Sequence, residues 1–395
     1  MEEEKERLNI LPAEDLNDKL ARLFGKMDDE SVDTLVVSSL ANKLYLTGRV
    51  FVGYIVLTRT DREMRSFVRR PNNMTGTGVT MIRKVEEIPA LLDVEVGTLA
   101  LENDNSTYAN VIRIAKAFGA DRFVNADSLL SAVRAVKTPY EIGQIEENSR
   151  LLSYVYSRIP KLYRPGMSDV ELQIEIERLT RLEGGTGMFR VGGEDMELNN
   201  GSVLVGANAD SPSPYDFAMG GRGCLPSLPV GADGTIIRPG NSVMVDTNGT
   251  FNAYMTDMTR TFVLGDISER AVRAHRLSVD ILRRLEKAAV PGIQARDLYQ
   301  MALDMVAEAR LTDYFMGHRA KAGFIGHGVG IVINELPVIA PRSRDVLAEG
   351  NVIALEPKFV IPETGAVGVE NTYVVTAAGL RRLTDASEEL VKLED

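Results

Sequence analysis

Three scarcities bound the chain before any motif is read: one cysteine, no tryptophan and three histidines among 395 residues. A lone Cys224 excludes an intrachain disulfide framework and any cysteine-based zinc cluster. No apolar run approaches the ~18 residues of a membrane span, and the opening MEEEKERLN is acidic where a signal peptide would be basic and then apolar. The expectation is a protein without a membrane role, for which the cytoplasm is the simplest compartment. Positive charge is short as well. Lys+Arg number 45 against 56 Asp+Glu, a formal net charge of -11, and no Lys/Arg stripe is interleaved with aromatics. An acidic surface repels phosphate backbones, which argues against nucleic acid as a partner. Phosphate-binding loops are absent too: no G-x-G-x-x-G follows a strand and no G-x-x-x-x-G-K occurs. What is present is an ordinary globular composition, 44% hydrophobic and 26% charged. At roughly 150 residues per domain, it suffices for two or three domains, each with its own core.

The first 135 or so residues alternate short β-rich runs with helical patterns. Leu16, Leu20, Leu23 and Phe24 recur at helical spacing, while TLVVSS (34–39) and FVGYIVLT (51–58) read as strands. TLALE (98–102) predicts a further strand, with helices over 108–118 and from Asp127 to Val136. Such alternation argues for a small α/β domain over residues 1–137. From Pro139 the pattern changes to long amphipathic helices. Ile142, Ile145, Leu151, Leu152, Val155, Tyr156 and Ile159 fall mostly on one face of a helix expected to stop near Pro165-Gly166. Ser168 stands three before Glu171, a capping box that opens a helix through about Leu182. The phrase returns later. A helix rich in Ile281, Leu282 and Leu285 ends at Pro291-Gly292, and another runs from about Arg296 to Arg310. In both places a Leu, Leu172 or Leu298, follows seven residues after the Pro. Taken alone, the repeat is either a duplicated α+β half or only a common helix stop. Residues 184–241, rich in Gly, Asn, Ser and Pro, predict strands with long loops, where binding residues tend to lie.

In VMVDTNGTFNAYMTDMTRTFVLG, Asp246 ends an apolar β-like run and Asp257 opens a returning one. A hairpin would bring both carboxylates to one end, although isolated acids at strand ends are as readily turn residues. His327 lies in GHGVG, where Gly326, Gly328 and Gly330 let backbone approach a ligand closely. Glu356 lies inside NVIALEPKFV, read as one strand, and Glu370 inside GVENTYVVT. Glutamates embedded in core-like strands need a cation or a proton. Four converging carboxylates would force several to protonate at neutral pH unless compensated, and two divalent metal ions supply the cancelling charge. Oxygen-rich coordination with one imidazole suits manganese, cobalt, iron or zinc. Paired ions of this kind lower the pKa of a bound water and polarise a substrate carbonyl.

The order Asp, Asp, His, Glu, Glu, with VDTNG, TDMTRTF, GHGVG, ALEP and GVENTYVVT in sequence, resembles the pita-bread metallopeptidases: methionine aminopeptidase, prolidase and aminopeptidase P. LVVSSLANKLYLTG resembles the N-terminal domain of the creatinase/prolidase branch. The resemblance implies an α+β pita-bread catalytic domain over 138–395, its Pro-Gly units being two pseudo-symmetric halves, preceded by the smaller α/β domain. It implies a dinuclear centre in which Asp246 chelates one metal, His327 and Glu356 the other, and Asp257 and Glu370 bridge both. It further implies a metal-bridging hydroxide as nucleophile, with Glu356 taking its proton, and a homodimer.

Departures from that family are specific. Proline-specific members carry extra histidines near the metals; here His275 reads as exposed in a charged helix, and His318 is the other remaining histidine. Seven residues after His327, where the family usually has a histidine before an acid, stands Asn334, followed by Glu335. Gly323 and Gly368 stand where related members carry His and Arg, and VGANADSPSPYDFAMGGRG lacks a loop histidine. Asn334 can donate a hydrogen bond but carries no charge, so its oxyanion stabilisation is weaker than an imidazolium's. Tyr215, Asp216 and Arg222 are the candidates to replace lost substrate contacts; ordinary loop residues are the competing reading. The expected activity is hydrolysis of a peptide bond near the N-terminus of a small peptide, Xaa-Pro peptidase-like, as aminopeptidase or dipeptidase. The alternatives are a creatinase-like amidinohydrolase or lyase acting on a non-peptide amide or related substrate, and a metal-retaining pseudoenzyme.

Overall fold

The computed structural model describes residues 5–104, 106–191, 200–215 and 219–394. They fall into two compact units, one ending at Arg134 and the next beginning at Ala135.

The N-terminal unit runs α1 (Ala13–Asp29), β1 (Thr34–Val37), α2 (Leu40–Thr47), β2 (Val52–Thr58), β3 (Glu63–Arg70), β4 (Val79–Met81), β5 (Leu99–Leu101), α3 (Tyr108–Ala117), β6 (Val124–Asn125) and α4 (Asp127–Ala135). These strands form a mixed sheet in the order β4-β3-β2-β1-β5-β6, and Glu6–Arg7 pairs separately with Met74–Thr75. β1 pairs antiparallel with β2 and parallel with β5. A strand covered on both faces explains the unbroken apolar run at Leu35, Val36 and Val37. Ser39 and Thr107 start α2 and α3 by accepting hydrogen bonds from the Asn42 and Asn110 amides.

The C-terminal unit opens with α5 (Pro139–Arg158) and α6 (Asp169–Leu182), both started by complete capping boxes, Thr138 with Glu141 and Ser168 with Glu171. α5 ends earlier than the sequence suggested. Pro160 excludes a further α turn, and the chain passes into a short 3-10 turn, Ile159–Lys161. β7 (Gly201–Val205), β8 (Ser242–Gly249) and β9 (Thr256–Val263) then form an antiparallel sheet on which α5 and α6 pack. The second half repeats the arrangement: α7 (Glu269–Ala288) and α8 (Ala295–Glu308) pack against strands that include β10 (Gly326–Gly328), β11 (Glu335–Ile339) and β12 (Val352–Leu355). Next come β13 (Lys358–Ile361), β14 (Gly365–Gly368), β15 (Asn371–Thr376) and β16 (Gly379–Arg382). The second sheet is ordered β11-β10-β12-β15-β16, and β13 and β14 form a separate hairpin.

NVIALEPKFV is therefore two strands rather than one. Pro357 cannot donate to a ladder and biases Glu356 toward an extended turn, so β12 ends at Leu355 and β13 starts afresh at Lys358. Glu356 sits at the break between two sheets, where its side chain need not follow the alternation of either. No helix among the described residues is long and apolar enough to cross a membrane.

Candidate metal centre

Register places the two aspartates. In the β8-β9 hairpin Asp246 lies opposite Thr259 and Asp257 opposite Asn248, so the acids are diagonal neighbours on one face. Asp246 lies mid-strand, not at the strand end. The second sheet reaches the same spot. The Glu370 amide donates to the Thr259 carbonyl at 3.2 Å, and Thr372 Oγ1 accepts from the Asp257 amide at 3.0 Å. Strand pairing sets His327 on β10 opposite Ala354 on β12, two residues before Glu356. These contacts draw the four acids and the imidazole expected from the sequence into one place.

Two groups of ligand atoms result, each lying within 4.8 Å: Asp257, His327 and Glu370 in one, Asp246, Glu356 and Glu370 in the other. Glu370 is shared. Glu356 spans both, because its Oε1 also stands 3.5 Å from His327 Nε2. The ring is fixed from behind, its Nδ1 3.1 Å from the Gly328 carbonyl and its plane edge-on to Phe324. Thr259 Oγ1 donates to Glu370 Oε2 at 2.6 Å. Arg260, 1% exposed, supports the same residue through its backbone: Nη1 donates to the Glu370 carbonyl at 2.7 Å, and Nη2 to Asn371 and to the Ala386 carbonyl.

The sequence reading passed over Lys358. Its side chain is fully buried, and its Nζ lies 2.7 Å from Glu356 Oε2, 2.9 Å from Asp246 Oδ2 and 3.3 Å from Glu370 Oε2. A signal existed: a lysine two residues after Glu356, flanked by the apolar Phe359 and Val360, needs a buried partner as much as the glutamates do.

Burial pushes the Asp257 carboxyl well above the usual carboxylate range, with the Asp246 and Glu356 charges adding to it. Glu370 is raised in the same way, by burial and then by Asp257. Burial works against a charge on Lys358, but Asp246, Glu356 and Glu370 outweigh it and hold the ammonium well above the usual lysine range.

The donors fit a divalent ion unequally. In the Asp257–His327–Glu370 group, hard oxygens and one imidazole converge, and among the described residues only Glu370 is ion-paired to Lys358. In the Asp246–Glu356–Glu370 group all three carboxylates are.

The substrate candidates lie elsewhere or apart. Arg222 is exposed and its guanidinium pairs with Asp233 at 2.6 Å. Tyr215 is half-buried and lines a small cavity with Asp210, Ser213 and Lys321. Asn334 is exposed on the turn between β10 and β11, and Asp216 lies outside the described residues. Its neighbour Glu335 is buried and paired with Lys137 at 3.0 Å. His318 pairs with Asp210 at 2.9 Å. His275, expected on the surface, is 3% exposed, with Nε2 on the Glu388 carbonyl and its ring basicity lowered by burial.

Buried Asp257, Glu356 and Glu370 and part-buried Asp246 and His327 gather where the sheets of a duplicated α+β unit meet, a donor set suited to divalent metal. Residues 143–377 match metallopeptidase family M24 and residues 19–136 the creatinase/prolidase N-terminal domain. The chain belongs to metallopeptidase family M24. It is 27% identical over 383 residues to an Xaa-Pro dipeptidase of Pyrococcus furiosus, covering 95% of this chain and 100% of that one. A putative dipeptidase of Bacillus subtilis is 27% identical over 302 residues, 76% of this chain and 74% of that one. Among solved structures, the prolidase of Pyrococcus horikoshii superposes with a TM-score of 0.77 at 23% identity, covering 95% of this chain and all of that one. An Xaa-Pro dipeptidase from Bacillus anthracis gives 0.78 at 22%, covering 96% and 100%. The fold is thus the pita-bread fold preceded by a creatinase-like domain.

Proposed function

We propose that the chain hydrolyses a peptide bond near the N-terminus of small peptides, with Xaa-Pro dipeptides as the first substrates to try. The observation that carries this reading is the convergence of Asp246, Asp257, His327, Glu356 and Glu370. Relatives named Xaa-Pro dipeptidase over nearly the whole chain support the substrate class. Divalent ions held by these residues would supply an activated water and a polarised carbonyl. The chain's own residues do the rest. Glu356 Oε1, 3.5 Å from His327 Nε2, is the oxygen placed to take and return the proton. Asp257 and Glu370 are oriented by the Asp257 amide contact to Thr372 and by the Thr259 hydroxyl, so neither needs to reorganise during turnover. Hydrolysis assays on Xaa-Pro dipeptides and longer N-terminal Xaa-Pro peptides, with manganese or cobalt added after chelator treatment, test the proposal and separate dipeptidase from aminopeptidase. Metal-loaded protein that cleaves neither class would overturn it. The same reading includes a cytoplasmic homodimer; sedimentation at 43.3 kDa rather than twice that mass would remove the dimer.

A second reading, a non-peptide amide, guanidino or sulfonium substrate on the same scaffold, is favoured by one observation. Asn334 is exposed where the resemblance places an accessory histidine. Turnover of such a compound, abolished by Asp257→Ala while peptides remain uncleaved, would select it.

A further inference from the structure

The two donor groups differ in what already sits in them. We propose that Lys358 is a resident cation of the centre, so that divalent ions load unequally: the first at Asp257, His327 and Glu370, the second only by expelling the ammonium from Asp246 and Glu356. This inference rests on the metal-dependent reading of the site and concerns how the site fills rather than what it cleaves.

Geometry carries the argument. Lys358 Nζ stands within 3.3 Å of one oxygen from each of Asp246, Glu356 and Glu370, with no exposed surface on its side chain. Those three carboxylates are the whole of the second donor group. An ion placed among them would meet the ammonium at contact distance. The Lys358 side chain starts β13, whose pairing with β14 sets Lys358 opposite Gly368 and fixes where its backbone lies. A Cβ at Gly368 would come 3.0 Å from the Lys358 Cα and 3.3 Å from its Cγ, so glycine there leaves the lysine stem its room.

Charge points the same way. Four carboxylates against one ammonium leave three net negative charges. One divalent ion reduces that to one negative charge, whereas a second beside the buried ammonium would make the centre net positive. Removing a buried ammonium from its partners is costly, since the carboxylates and the cation must both be re-partnered. The expected consequence is a second ion bound at least about 100-fold more weakly than the first.

The test is calorimetric titration of the full, chelator-treated chain with manganese alone, with bound metal counted after gel filtration. Wild type is expected to take up one ion tightly and a second about 100-fold or more weakly. Lys358→Met, which keeps the stem and removes the charge, should bind two ions within about tenfold of each other, and Lys358→Arg should stay at one. Two ions of comparable affinity in wild type, or a single ion in a folded Lys358→Met, would overturn the inference. If Lys358→Met does not fold, Lys358→Gln takes its place, with the same two outcomes deciding. Binding of no ion by wild type would remove the metal reading and the inference together. Normal stoichiometry with no peptide cleavage would remove the substrate assignment alone.

Discussion

The N-terminal unit and the metal centre both bury charge, and they handle it in opposite ways. In the N-terminal unit Lys19 and Glu102 each meet enough partners to be settled where they lie. Lys19, with no exposed surface, pairs with Asp15 at 2.8 Å, donates to the Tyr45 carbonyl and lies over the Tyr45 ring. Glu102, 2% exposed, accepts from the Ser38 and Ser39 amides and from Asn42 at the start of α2, where the helix dipole favours an anion. In the centre, four carboxylates share one ammonium and one imidazole. Balanced burial stabilises a fold, whereas unbalanced burial leaves a standing demand for a cation.

The sharpest way to break the contrast is at Asp257. Asp257→Asn should lower peptide hydrolysis by about 10⁴-fold, several kcal/mol of transition-state stabilisation, and weaken manganese uptake, while Asp15→Asn leaves both unchanged. Activity and calorimetry on the two variants give the comparison. Next in size is Lys19→Met, which strands one carboxylate and should cost about 3 kcal/mol in denaturant unfolding without altering metal stoichiometry. Pairing it with Asp15→Leu should recover most of the loss. Thr259→Val tests support rather than ligation: losing its hydrogen bond to Glu370 should weaken metal affinity about 10- to 100-fold with only a modest change in melting temperature.

The smallest effect is expected at His275, which meets burial by staying neutral. Its folded basicity is lowered, so the unfolded chain binds its proton first. The stability it contributes is present above a pH of about 6.5 and is lost as pH falls below that value. Melting temperatures of His275→Gln should therefore fall less steeply than wild type between about pH 6.5 and 5. Glu388, whose carboxyl burial raises but Arg382 and Arg283 hold low, remains to set the slope that is left.

Much of this was legible one residue at a time. The Ser168–Glu171 box predicts where α6 starts, its end was expected at about Leu182, and strand patterns located β1, β2 and β5 within one or two positions. The four acids and the imidazole could be singled out because acids in apolar strands are rare enough to need explaining. His275 could have been placed as well. It follows Ala271 by four and precedes Ser278 by three and Leu282 by seven on the buried face of α7, but the surrounding arginines mask that stripe. Lys358 carried a local signal, a lysine among apolar residues two after Glu356, but its pairing with Asp246 spans 112 residues and follows a strand break at Pro357, which no local pattern announces. Tertiary convergence of that kind leaves no local period to read.

The bridge between Thr259 and Glu370 has a consequence for how the protein is made. The hairpin bearing Asp246 and Asp257 leaves the ribosome well before the strand that must reach it, and a chain grown only to residue 345 has neither of the two glutamates. Vectorial synthesis thus offers first a portion in which Asp246, Asp257 and His327 lack both glutamates and Lys358. Glu356, Lys358 and Glu370 are all made after that point, so the charges of the cluster can meet only once the last strands of the chain have been synthesised.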